Sequence, residues 1–190
     1  MGIKSKKSFT LIELIVAVGI VGLVLPSVFN IFFTIIRQQL ILVAYQEMKI
    51  QGDSVQRNIK NMLQNRIAYI STGDYSSVDN CPVVNETTPI PTYAPDLYMK
   101  DRNGISVHYF SLPNPTPVAS TSYTIASDSG GLKTYYLTSK DVSVSEVGFA
   151  CYHNNDFTPA VVLTKFTVLK STQFRNISLP YSFKVRLRDY

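Results

Sequence analysis

The chain has 190 residues, 18 of them basic and 13 acidic, for a net charge of +5. Lys4, Lys6 and Lys7 stand ahead of residue 8, and the chain from there on carries only +2, too small a basic footprint for nucleic-acid binding. The two cysteines, Cys81 and Cys151, lie outside any C-x-x-C motif and have no histidine cluster near them in sequence, which argues against a zinc module.

The first element is the run from Ser8 to Ile36, SFTLIELIVAVGIVGLVLPSVFNIFFTII, with no Lys or Arg and one ionisable side chain, Glu13. As a helix it is about 42 Å long, against about 30 Å for the hydrocarbon core of a bilayer. Few core helices are apolar on every face over such a length. A secretory signal has an apolar region of only ~7–15 residues and a small-residue cleavage site. The run is expected to insert in a membrane. The lysines ahead of it hold the N-terminus in the cytoplasm and place everything after Ile36 outside. Glu13 has two readings. An acid at the centre of a membrane helix costs on the order of 2.5–3.5 kcal/mol, less near the end. Glu13 therefore either snorkels to the interface or meets a cation from elsewhere. A cut between Ser8 and Phe9 supplies one, the new α-amine of Phe9.

Lys6-Lys7-Ser8-Phe9-Thr10-Leu11-Ile12-Glu13 resembles the type III signal of type IV pilins and type II secretion pseudopilins. That family has a short basic leader, a cut before Phe, Glu five residues into the mature chain, and then a long apolar helix. The resemblance is strong over residues 4–25. It departs at Ser8, where the family usually has Gly, though a small residue is kept. It implies cleavage between Ser8 and Phe9 by a prepilin peptidase, N-methylation of Phe9, and a role for Glu13 in assembly.

Residues 37–70 are expected to continue as an amphipathic helix. Ile41, Met48, Val55, Met62 and Tyr69 recur every seven residues, with Tyr45 and Ile59 four positions on, while Arg37, Lys49, Asp53, Arg57 and Lys60 mark wetter faces. Gly52 and Arg66 interrupt the second seam position, so a helix laid on a sheet fits better than a coiled coil. Pro26 is expected to kink the membrane half and Gly52-Asp53 to soften the lower half. Residues 71–103 are rich in Pro, Ser, Asn and Asp and read as a long loop insertion anchored by Cys81.

Short strands follow. Ile105–Leu112 alternates, and the PNPTP segment from Pro113 is expected to turn without a ladder. Tyr123–Ala126 and Lys133–Leu137 flank a Ser-Asp-Ser-Gly-Gly hairpin turn. In Val142–Tyr152 the apolar parity flips at Ser145-Glu146, the mark of a bulge. Ala160–Leu169 is a further strand. Tyr181, Phe183, Val185 and Leu187 alternate with Ser182, Lys184, Arg186 and Arg188, giving one buried and one basic face, with Pro180 limiting the strand's start. Residues 132–190 resemble, more loosely, minor pilins and the bulky minor pseudopilin. Outside the cytoplasm Cys81 and Cys151 can persist as a disulfide; two unpaired thiols are the other reading.

No catalytic motif appears. His108 and His153 are far apart in sequence, and no nucleophile has a base and an orienting partner. The loop carboxylates Asp74, Asp79, Asp96, Asp101 and Asp128 include no D-x-[DN]-x-[DN]-G calcium loop. The expected fold is α+β: a long N-terminal helix, membrane half then amphipathic half, packed on a C-terminal antiparallel sheet domain. The expected organisation is leader 1–8, membrane or filament-core helix 9–36, amphipathic helix 37–70, and a β-rich outer domain 71–190 with the insertion at 71–103. The expected role is a non-enzymatic minor pilin or pseudopilin subunit without cofactor or metal. Its partners are other subunits, the prepilin peptidase, the inner-membrane assembly machinery and the membrane, with no nucleic acid. It is a single-pass precursor in the cytoplasmic membrane, then part of a periplasmic or surface filament. The alternative is an uncleaved, signal-anchored binding domain outside the cytoplasm.

Overall fold

The computed structural model describes residues 10–71, 81–84, 92–101, 103–113, 123–129, 133–155 and 157–188. One helix, α1 (Leu11–Asn65), precedes eight strands: β1 (Ile67–Ser71), β2 (Leu97–Asp101), β3 (Ser106–Pro113), β4 (Tyr123–Ser129), β5 (Thr134–Tyr136), β6 (Ser143–Tyr152), β7 (Val161–Ser171) and β8 (Asn176–Arg186). All are antiparallel in one sheet ordered β1-β2-β3-β4-β6-β7-β8, with β5 paired to β4. The fold is α+β. The chain divides at Val43/Ala44 into two compact units.

In the second unit, the buried positions of α1 are Ala44, Met48, Gly52, Val55, Ile59 and Leu63. Their spacings are four, four, three, four and four, whereas Tyr45 and Tyr69 of the expected heptad are exposed. A straight helix drifts against a strict seven-residue repeat, so a stripe that meets a sheet follows 3.6 and leaves the heptad behind. The helix ends at Asn65, short of the expected residue 70, and the chain turns at once into β1. Ile67 and Ile70 of β1 are buried against the sheet core. β1 and β2 thus occupy parts of a region read as loop or helix. Gly104, with φ of 80°, closes the β2–β3 turn. There Asp101 Oδ1 accepts from the backbone N–H of Asn103 and Ile105 at 2.8 and 2.7 Å.

The β6 bulge stands at the expected place. The register shifts between Ser145 and Gly148, and Glu146 takes a φ of 54°, a left-handed conformation uncommon outside glycine. Two expectations about proline are corrected. Pro113 pairs with Tyr123 as the last pair of the β3–β4 ladder, while the rest of the PNPTP segment lies outside the described residues. Pro180 sits within β8, opposite Thr167, and does not limit its start. β8 is a sheet edge, where a residue without an N–H leaves no ladder bond unmade. Phe183, Val185 and Leu187 are buried and Ser182, Lys184 and Arg186 exposed.

Gly52 is a packing notch. A Cβ placed there would stand 2.2 Å from two ring carbons of Tyr181. The ring is stacked on Phe166 at 5.0 Å, and its hydroxyl reaches the Lys49 carbonyl and Asp53 Oδ1, each at 3.2 Å. Burial, then the Asp53 carboxylate, raise that phenol to about 12, so it stays a donor at any physiological pH. Gly52→Ala is expected to destabilise the domain by about 1–2 kcal/mol, the overpacking cost outweighing the helix-propensity gain of about 1 kcal/mol. Thermal melts of Gly52→Ala alone and with Tyr181→Ala test this: the alanine should cost less once the ring is gone. A Gly52→Ala protein that melts higher than the parent refutes the notch.

Candidate functional site

The candidate site is the start of the apolar helix. Thr10 stands just before Leu11, and Glu13 lies three residues on. The Thr10 Oγ1 accepts from the Glu13 N–H at 3.4 Å. In return, Glu13 Oε2 accepts from the Thr10 backbone N–H and hydroxyl, both at 3.0 Å. This is a reciprocal capping box, and it satisfies helix-terminal N–H groups that would otherwise lack partners. The carboxylate also sits in the first turn, where the helix dipole favours a negative charge. Weighed as a lone acid in an apolar run, Glu13 looks unpartnered. The Thr-x-x-Glu spacing ahead of that run is the signature that supplies the partner.

Past the cap the helix presents apolar side chains on every side. Leu11 is 77% and Leu23 79% exposed, and Ile12, Val18 and Phe33 are likewise open. Its most apolar stretch is long enough to cross a membrane, and none of it is buried within the chain. Pro26 lies inside α1, which continues to Asn65. It has no N–H to donate to the carbonyl of Gly22. The leader and the cleavage pair Ser8 and Phe9 lie outside the described residues.

Elsewhere, a disulfide joins Cys81 to Cys151 of β6, with Cα atoms 5.1 Å apart. Backbone pairs flank it: Val84 N–H donates to His153 at 2.8 Å, His153 N–H to Pro82 at 2.9 Å, and Ala94 and Phe149 exchange bonds of 2.7 and 2.8 Å. The bridge and these bonds hold residues 81–84 and Ala94 beside β6 and His153. His108 is stacked between Tyr98 at 4.1 Å and Phe110 at 4.4 Å. Asp96 and Asp128 stand 3.5 and 3.7 Å from its two nitrogens. The His153 Nδ1 lies 2.6 Å from the Thr158 carbonyl. Among the described residues no group of three His, Cys, Asp or Glu is placed to hold a metal ion.

Residues 3–25 match the model of the prokaryotic N-terminal methylation motif. The chain carries a prepilin-type signal. This is the signal of type IV pilin and type II secretion pseudopilin precursors, and it implies processing by a prepilin peptidase and assembly with other pilins. With the apolar helix it marks a membrane-anchored precursor, and it points to a structural subunit instead of an enzyme. The match ends inside α1 and does not reach the sheet. No curated protein and no solved structure matches the chain.

Proposed function

We propose that the protein is a minor pilin or pseudopilin subunit that assembles through α1 into a type IV pilus-like or type II secretion filament. The observation that carries this reading is the capped Glu13 at the head of an apolar helix that its own chain leaves uncovered. In the precursor, lipid covers that helix, with the leader inside and the sheet outside. The domain boundaries follow: leader 1–8, core helix 9–36, amphipathic helix from 37, and an outer domain to 190. In the filament, equivalent helices of other subunits replace the lipid. A head-to-tail contact that does not close on itself makes such a fibre.

Glu13 sets the register. Its Oε2 is held by Thr10, which leaves Oε1 outside these bonds. Cleavage between Ser8 and Phe9 creates an ammonium one residue from the cap, and that group of a neighbouring subunit neutralises the carboxylate. The Pro-, Ser-, Asn- and Asp-rich composition of residues 71–103 supports a minor subunit, since a major one repeats a single compact contact along the whole fibre.

Mass spectrometry of the protein from its own host tests the reading. The mature chain should begin at Phe9 with a methyl group on its amine. A chain that still carries its leader there is the outcome that sinks it and returns the signal-anchored binding domain.

A further inference from the structure

We propose that the cleft between the last two turns of α1 and strands β3 to β5 binds a neutral oligosaccharide. The cleft has a volume of about 680 Å³, within the range of small-molecule sites. Asn58, Asn61 and Asn65 line one wall. Spaced by three and then four, they form a single row down the helix face. The facing wall carries Ser127 and Ser129 of β4 and the ring of Tyr135 of β5.

The chemistry of these walls selects the ligand. Each Asn amide offers two donors and an acceptor, and each serine hydroxyl does both. Such groups match sugar hydroxyls, which also donate and accept. Asn58 is held in place: the Tyr109 hydroxyl donates to its Oδ1 at 2.6 Å, and that tyrosine is buried. Burial also raises the Tyr109 phenol above its ordinary value, so it remains a donor. Tyr135 is 54% exposed. Lys133 Nζ stands over its ring at 5.3 Å, and the face of such a ring can pack against the C–H side of a sugar ring. The charged lining residues, Arg66 and Asp128, are opposite in sign, so the cleft has no net charge with which to select an ionic ligand.

An extended peptide is the competing occupant, and the cleft suits it poorly. At Ser127 the sheet is already paired on both sides, with Tyr109 of β3 and Tyr135 of β5. No backbone edge is left there for an added strand. Three asparagines in the final turns of a helix are also poor helix formers, so helix stability does not explain them.

The test uses the full chain, purified in a detergent without a sugar headgroup. Maltotriose, cellotriose and chitotriose are titrated by saturation-transfer NMR. At least one should bind saturably and independently of salt. Asn61→Ala and Tyr135→Ala should each weaken it by about tenfold, the loss of one good hydrogen bond or ring contact. Tyr135→Phe should keep it. Both positions are exposed, and an unchanged melting temperature shows that the variants fold. Failure of all three sugars to bind, binding untouched by the alanine variants, or displacement of the sugar by tetra-alanine would overturn the proposal.

Discussion

Removing the Cys81–Cys151 bridge lowers the stability of the outer domain by about 4 kcal/mol. The two residues are 70 positions apart, and in the loop-entropy model a cross-link of that span removes about 4 kcal/mol of freedom from the unfolded chain. A domain of this size has only about 5–15 kcal/mol in total, so the bridge supplies a large share. The double variant Cys81→Ala/Cys151→Ala makes the comparison cleaner than single ones, because it leaves no reactive thiol. Both cysteines are buried, and the small alanine side chain adds no polar group to a site that cannot satisfy one. The midpoint in a thermal melt should fall by roughly 8–16 °C for a chain of this length. Limited proteolysis should then cut first near residues 81–84, whose described ties to the sheet domain are the bridge and the backbone bonds of Pro82 and Val84 to His153. A double variant that melts within about 2 °C of the parent, equivalent to about 0.5–1 kcal/mol, removes the bridge from the account of stability.

The parts of this fold legible in sequence are those where one face is buried and the other wet. The alternation of Phe183, Val185 and Leu187 with Lys184 and Arg186 marks β8, because an edge strand with one covered face writes its period plainly. The parity flip at Ser145-Glu146 marks the β6 bulge for the same reason. β1 hides because its register shifts between Ile67 and Tyr69. Its buried set, Ile67, Ile70 and Ser71, then follows no simple period, and Tyr69 instead continues the helical heptad. β2 is five residues between Asp96 and a Gly104 turn, too short to show a period against a loop-like composition.

The role of Gly52 is hidden in the sequence for a different reason. A glycine in a helix suggests softness when its neighbours are unknown. Here it faces Tyr181, 129 positions later, and only the tertiary fold brings the two together. The asparagine row and the serines of the cleft are separated in the same way. Of the candidate site, the basic leader, Phe9 and Glu13 are legible because they are contiguous. The capping role of Thr10 is written there as well, in one spacing.

Glu13→Gln and Glu13→Val each enter filaments at less than about a tenth of the wild-type ratio, while the membrane fraction holds as much protein as before. The capping box makes the pair of substitutions informative. Gln at the third helical position still accepts from the Thr10 N–H, so Glu13→Gln keeps the cap and loses only the charge. Glu13→Val loses both, at a cost to the helix start of about 1 kcal/mol, and places a more apolar side chain in lipid. If the cap is what assembly needs, Gln behaves as wild type and Val fails. If the charge is what assembly needs, both fail alike. The proposed ion pair favours the second outcome, since leaving the Phe9 ammonium of a neighbour buried and unpaired costs about 3–5 kcal/mol, more than the factor of ten required. The outer domain should not register either change, because among the described residues the side-chain bonds of Glu13 run to Thr10. The measurement is this subunit's own ratio of sheared-filament to membrane-fraction protein, beside the melting temperature of the sheet domain. Wild-type incorporation of the Gln variant would assign Glu13 to the cap alone, and the register of the filament would then need another determinant.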